Sequence, residues 1–385
     1  MSDFNSKWSF NGVFSVIFFF LSILGLISSW YFSYYTDRNE KLIWTIVSPE
    51  INFSTDSSTN INAFIDLLSN VNTSANIIFS TSPISNVVDP RFSKALEDAA
   101  KRGVNVQIYT SDHSFQAPSG TVVRYYPKNQ FSFRVNLALL DGNRVFYPSS
   151  FFYSVNSTIL SYYVYYSNAI AVNSFLSNFF EFFWTLPSSG KHNVNKYKWI
   201  IYQQYSKNVN FTWDPNTYYT LDHPNLSQAI SLALDDSSDF KIVLSSSFFP
   251  DSFVDRSHSA TTAYYVSLLE NSPFNEKLMS IYANKDYINQ HKPGFHLLSF
   301  SRVTESAFSL KGCPFLIDGT IIAATDSMVL FPAGYNEVFH EETITIGFSI
   351  TDHSPYVLLK SYLETKINPL CDTKGKGEIK FIPPK

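Results

Sequence analysis

The chain has 385 residues, of which 16% are charged and 45% hydrophobic, with 17% aromatic and a formal net charge of −4. That hydrophobic content with so small a net charge excludes an intrinsically disordered chain, and 28 Lys and Arg against 32 Asp and Glu exclude a molecule basic throughout, as broad nucleic-acid binding by counterion release requires. Thirteen Gly and 18 Pro exclude a collagen- or linker-like chain, and the length holds one large or two medium domains.

From Trp8 to Tyr35 there is no charged residue. A helix needs about 20 mostly apolar residues to cross the hydrocarbon core, so this stretch is long enough to span. Trp8 at one end and Trp30, Tyr31, Tyr34 and Tyr35 at the other match the aromatic belts of a spanning helix. The expectation is a short cytosolic tail (1–7) and a retained signal anchor (8–35), because no small-residue cleavage site follows as in a signal peptide. Lys7 before the span and Arg38 and Lys41 after it do not fix orientation. Five Asn-x-Ser/Thr sequons follow, at Asn52, Asn72, Asn156, Asn210 and Asn225, compatible with a lumenal or extracellular domain carrying N-glycans.

Next comes an α/β rhythm. Ile61, Phe64, Ile65 and Leu68 are spaced as one helix face, and Asn76 to Ser80 reads as a short buried strand. Asp89-Pro90 opens a second helix as N-cap and first helical residue; Lys101-Arg102-Gly103 closes it with a basic last turn and a Gly stop. Val104 to Tyr109 alternates as a strand. Two strands flank Asp141-Gly142-Asn143, a hairpin turn, and an aromatic helix around Phe175 to Trp184 closes the unit.

A second copy follows: helical spacing over Leu226 to Leu234, a strand from Phe240 to Ser246 echoing Asn76 to Ser80, a strand from Glu342 to Ile350, and a closing helix from Tyr356 to Thr365. Leu316-Ile317-Asp318-Gly319 echoes Leu139-Leu140-Asp141-Gly142. The expectation is therefore an α/β chain of two similar lobes related by a pseudo-twofold axis, lobe 1 over 42–186 and lobe 2 over 211–385. The polar, basic segment 187–210 is the linker, and a site would draw one equivalent loop from each lobe. The two cysteines, Cys313 and Cys371, exclude a disulfide-dense scaffold and a Cys-rich zinc site. They could form one bridge or be two buried thiols.

Ordered along the chain, Ile46-Val47-Ser48-Pro49-Glu50, Ala100-Lys101-Arg102-Gly103-Val104-Asn105-Val106, the strand pair around Asp141 and Phe179-Phe180-Glu181-Phe182-Phe183-Trp184 resemble the phospholipase D superfamily. The likeness is to its type II membrane members, which include mammalian endolysosomal 5′ exonucleases. The resemblance implies two copies of His-x-Lys-x4-Asp, one per lobe. One His attacks phosphorus, the other protonates the leaving oxygen, and the lysines hold phosphate oxygens. It also implies an endolysosomal route, no cofactor and pairing with itself or an active relative.

Aligned on Asp141, the first motif holds Arg134 for His and Asn136 for Lys; aligned on Asp318, the second holds Lys311 and Cys313. A guanidinium has no lone pair to attack with, and an ammonium gains one only after a large pKa depression. Cys313 has no predicted His to make it a thiolate. The expectation is a pseudoenzyme, a non-catalytic binding or interaction protein. Arg134 and Lys311 would either face each other as an anion pocket for a phosphate-containing ligand or pair with Asp141, Asp318 or other carboxylates. The competing expectation is a divergent phosphodiesterase or 5′ exonuclease using other residues. The eight His are scattered without metal-ligand spacing, so no metal site is expected.

Overall fold

The structure, a computed structural model, describes residues 19–29, 49–81, 87–126, 132–150, 153, 158–167, 170–185, 211–214, 241–245, 279–286, 308–325, 327–334, 343–350 and 353–373. Residues 1–47 and 48–385 form two separate units. In the first, helix α1 covers residues 19–29 and leaves Phe19, Phe20, Leu21, Leu24, Leu26 and Ile27 exposed. Among the described residues no helix is long and apolar enough to cross a membrane; most of the expected anchor, like the expected linker and the helix over Leu226 to Leu234, lies outside them.

In the second unit a sheet of order β1-β8-β7-β6-β2-β3-β4 is built from β1 (Glu50–Ser54), β2 (Ser74–Phe79), β3 (Asn105–Thr110), β4 (Val122–Tyr125), β6 (Leu137–Leu140), β7 (Arg144–Pro148) and β8 (Ile159–Ser167). The other has order β17-β12-β11-β10-β14-β15-β16-β5, from β5 (Ser132–Arg134), β10 (Lys241–Ser245), β11 (Met279–Asn284), β12 (Phe308–Cys313), β14 (Thr320–Ala324), β15 (Ser327–Phe331), β16 (Thr343–Ile350) and β17 (Asp372–Thr373). β9 (Phe211–Asp214) pairs with β16, and β13 (Leu316–Ile317) pairs with β8. The chain is thus a mixed α/β fold with two sheets.

Local chemistry explains the helices. In α2 (Thr59–Ser69) the buried residues Asn60, Ile61, Phe64 and Leu68 lie on one face, as the 3.6-residue period requires. In α3 (Pro90–Lys101) Asp89 accepts a hydrogen bond from Arg91 N, and Pro90, which has no N–H to leave unsatisfied, takes the first position. Gly103 follows with φ +89°, the left-handed conformation that stops a helix. Phe64 and Phe92 from these helices lie 5.6 Å apart by ring centroid and meet Phe146 and Phe79 of the first sheet at 6.0 and 5.7 Å respectively. Each such buried ring stabilises the fold by roughly 2 kcal/mol relative to exposure. The aromatic α4 (Ile170–Thr185) buries Phe179, Phe180 and Phe183, and α5 (His353–Tyr362) occupies the corresponding place late in the second half.

The two halves exchange strands. β5, from the first half, pairs parallel with β16, Ser132 opposite Thr343; β13, from the second, pairs parallel with β8, Leu316 opposite Ile159. Both exchanges carry the same offset, since 316 − 132 and 343 − 159 are both 184. The halves therefore follow one plan, with a short strand of each completing the other's sheet.

Candidate functional site

The offset of 184 settles which residues are equivalent. The first strands of the hairpins agree with it, Leu140 and Ala324 being the last paired residues before the turn, while their partners Arg144 and Ser327 are 183 apart, so the second turn is one residue shorter. Arg134, Asn136 and Asp141 therefore correspond to Asp318, Thr320 and Thr325. The alignment expected from sequence, which set Asp318 against Asp141 and put Lys311 and Cys313 at the motif's head, is corrected. The second hairpin's last pair is Ala324 with Ser327, so its turn comes after Ala324 and not at Asp318. Asp318-Gly319 is a crossover, where φ is +72° and a Cβ on Gly319 would lie 2.6 Å from Phe331 O and 3.3 Å from Tyr162 Oη. This Asp-Gly pair mimics a turn in sequence but answers to close backbone approach.

Lys311 accordingly does not face Arg134. Lys311 is on β12 and Arg134 on β5, six strands apart in one sheet, about 29 Å at the usual ~4.8 Å strand spacing. The Lys311 ammonium donates to Asn368 Oδ1 (2.8 Å) and Tyr282 Oη (3.3 Å), and its Nζ sits 5.1 Å from the centre of the Tyr282 ring. Burial lowers its pKa. Cys313 Sγ is bonded to Cys371 Sγ at 2.09 Å, so no thiolate is available there. The two-cation pocket expected between Arg134 and Lys311 is absent because the register puts Lys311 on a remote strand.

Asp141 has a structural role. Its carboxylate accepts from the backbone N–H groups of Asn72, Thr73 and Ser74 and from Thr73 Oγ1, and pairs with Arg144 at 2.6 Å. Burial alone would raise its pKa; the hydrogen bonds from Thr73, Arg144 and Asn72 outweigh that and bring it down to about 2. It ties the hairpin to the start of β2 with its own φ at +52°.

The four remaining positions lie on or just after the exchanged strands β5 and β13, and Ser149 bonds to both Asn136 and Asp318. Arg134 Nη1 donates to Thr81 O at 2.8 Å. Asn136 is buried; its Nδ2 donates to Ser149 O at 2.7 Å, and its Oδ1 accepts from Ser80 N and Oγ at 3.2 and 3.3 Å. Thr320 repeats the pattern: its Oγ1 donates to Ala333 O at 2.8 Å and lies 2.9 Å from Ser245 Oγ. Asp318, 3% exposed, follows β13, donates its N–H to Leu160 O at 3.0 Å and sets Oδ2 3.5 Å from Ser149 Oγ. Ser149 Oγ also accepts from Tyr162 N at 3.1 Å. Burial pushes the Tyr162 hydroxyl well above its ordinary pKa, and the charges of Tyr147 and Asp318 push the same way. Tyr147 reaches across to the second sheet, its hydroxyl donating to Ile346 O.

Sequence reasoning did not single out Thr320 or Tyr147; it noted Ser149 only as the Ser kept from a downstream motif and Tyr162 only as part of an aromatic strand. The repeat offset could have found Thr320, but only with the strand exchange known. Of the sequon asparagines, Asn52 is on β1 with Nδ2 3.3 Å from Tyr163 Oη, and Asn72 is exposed; Asn156, Asn210 and Asn225 lie outside the described residues. Among the described residues no group of His, Cys, Asp and Glu could hold a metal ion.

No family model matches the chain, and no curated protein matches it. Solved structures do. Phosphatidylserine synthase of Haemophilus influenzae Rd KW20 aligns over 90% of this chain and 93% of its own, with TM-score 0.56 and 12% identity. Polyphosphate kinase of Porphyromonas gingivalis aligns over 83% of this chain at TM-score 0.53 and 9% identity, this chain spanning about half of it (47%). The structural neighbours also include a phospholipase D family member, Nuc from Salmonella typhimurium, over 36% of this chain and 93% of its own, at TM-score 0.29 and 18% identity. At these identities the likeness is one of fold: two α/β halves spanning nearly the whole of the Haemophilus synthase.

Proposed function

We propose that this chain is a membrane-anchored, phospholipase D-like pseudoenzyme whose two-lobed domain binds or pairs rather than cleaves, acting on itself or an active relative. One observation carries this. Arg134 and Asn136, which the resemblance sets at the first motif, and their equivalents Asp318 and Thr320 under the 184 offset support it. None is an imidazole that could attack phosphorus, and the asparagine and threonine are bonded to their own halves. With Asp318, a carboxylate, at the position equivalent to Arg134, the second cation that anion capture would need is missing there, which favours a protein partner over a phosphate ligand.

Two observations support a lumenal or extracellular domain behind an anchor. The apolar side chains of α1 are exposed on all sides, the character of a helix surrounded by lipid. The Cys313–Cys371 bridge belongs to an oxidising compartment.

A divergent phosphodiesterase is favoured by one contact, Ser149 Oγ to Asp318 Oδ2 at 3.5 Å, which could pair a nucleophile with a base. Ser149 is only 1% exposed, closed to a substrate in this arrangement. Turnover of bis(p-nitrophenyl) phosphate, a 5′-labelled single-stranded oligonucleotide and phosphatidylcholine vesicles separates the two. The pseudoenzyme reading predicts rates equal to the blank at pH 5 and pH 7. Turnover abolished by Ser149→Ala or Asp318→Asn would establish the second reading.

A further inference from the structure

The two sheets end differently on corresponding sides. In the first, β4 is the last described strand, beyond β3; in the second, its counterpart β12, beyond β11, is covered by β17. That cover is slight. β17 makes two pairs with β12, Thr373 opposite Lys311 and Asp372 opposite Gly312. β12 is held on its inner side over six pairs with β11. The segment is also tied by the exposed ion pair Lys285–Asp372 at 2.6 Å and by the bonds of Asn368 to Lys311 and Tyr282. An exposed ion pair contributes little. Two pairs of a ladder do not hold a strand by themselves. The covalent link is what keeps the cover in place: Cys313 ends β12 and Cys371 immediately precedes β17.

We propose that the Cys313–Cys371 disulfide is a redox-opened clasp, whose reduction frees Cys371 to Thr373 from β12 and bares that sheet edge while both sheets stay folded. The movement has a natural limit. Leu363 and Ile367 are buried, so the turn before Asn368 remains docked and the freed piece begins there. The reductant is a dithiol. Its thiolate attacks Cys371 Sγ, the more accessible sulfur, since Cys371 is 8% exposed and Cys313 is fully buried. The Cys313 sulfur leaves with the electron pair and takes a proton. The second thiol of the reductant then displaces Cys371 Sγ, giving two protein thiols and an oxidised, cyclic disulfide. The bared β12 presents unpaired N–H and C=O groups, a template for another strand. This holds whether or not the interlobe site catalyses.

The test is hydrogen exchange on the full chain, oxidised and after dithiothreitol, with thiols counted by alkylation. Once two thiols appear, exchange at residues 309–313 and 368–373 rises by about tenfold or more, while β2, β3, β6 and β14 keep their protection. Two thiols with protection unchanged at those segments overturn the proposal, as does loss of protection across both sheets together. Cys313→Ala/Cys371→Ala reproduces the reduced pattern without reductant. Should that variant fail to fold, reduction of the folded wild type still decides. Lys285→Ala speeds exchange at 368–373 in the reduced protein only; an equal effect in both states contradicts the clasp.

Discussion

The two halves carry the same scaffold and have filled it differently. At the crossover before the central hairpin, the first half has Arg134-Val135-Asn136 and the second Asp318-Gly319-Thr320. Asn136 and Thr320 do the same work, each bonding a carbonyl after the hairpin's second strand, Ser149 O or Ala333 O. Their neighbours differ. The first half ties its turn down with the Asp141 network, while the second needs a glycine because two backbones approach closely. The positions that keep the same geometry in both halves are thus those that close the fold, while the equivalent charged residues Arg134 and Asp318 are opposite in sign.

That comparison can be pressed by substitution. The largest effect is expected at the glycines. Gly319→Ala forces a Cβ to 2.6 Å from Phe331 O at a positive φ, whereas Gly142, also at positive φ (+66°), has open space around it. Thermal or urea unfolding should show a loss of about 3 kcal/mol or more for Gly319→Ala and about 1 kcal/mol for Gly142→Ala. Equal losses would show that the close approach at Gly319 is not present.

Next, Asn136→Ala strands Ser149 O and Ser80 N, while Thr320→Val strands Ala333 O and takes one partner from Ser245 Oγ. Unfolding should give losses of about 2–3 and about 1–2 kcal/mol respectively. The reverse order would break the equivalence drawn between these residues.

A smaller effect separates the turns by pH. The folded Asp141 carboxyl titrates at about 2, below its unfolded value near 4. A depressed carboxylate contributes stability that is complete above the unfolded pKa and is lost as pH falls through the folded one. Between about pH 4 and pH 2 wild type should therefore lose about 2 kcal/mol more stability than Asp141→Asn, which keeps only the acid losses of the other lowered carboxylates such as Asp89. The second half, with Thr325 at that position, contributes nothing there.

Much of the first half is legible in the sequence because its signals are local. The Asp89-Pro90 start, the Gly103 stop and the 61-64-68 face each state a helix within a dozen residues, and Asp141-Gly142-Asn143 does turn a hairpin. The strand exchange is not legible. β5 and β13 are two or three residues long and pair with strands from the other half, so no periodicity marks them. That one blind spot produced the misalignment at Asp318, because an Asp-Gly required by close packing looks the same as one required by a turn. The disulfide was also beyond sequence, since the Cα separation of 4.3 Å depends on a β12–β17 pairing across 58 residues. Closing a loop of that length contributes roughly 4 kcal/mol on the chain-entropy account.

In the proposed pseudoenzyme reading Arg134 and Asp318, equivalent under the offset of 184, stand at the positions of a nucleophile and its partner acid, with no phosphoryl group taken there. Single-turnover incubation tests it most directly, with protein in excess over a phosphodiester carrying radiolabelled phosphorus, then acid- and base-quenched gels. The account predicts no label on the protein and the substrate recovered intact. Label retained on a peptide containing Ser149 or Asp318 would contradict it.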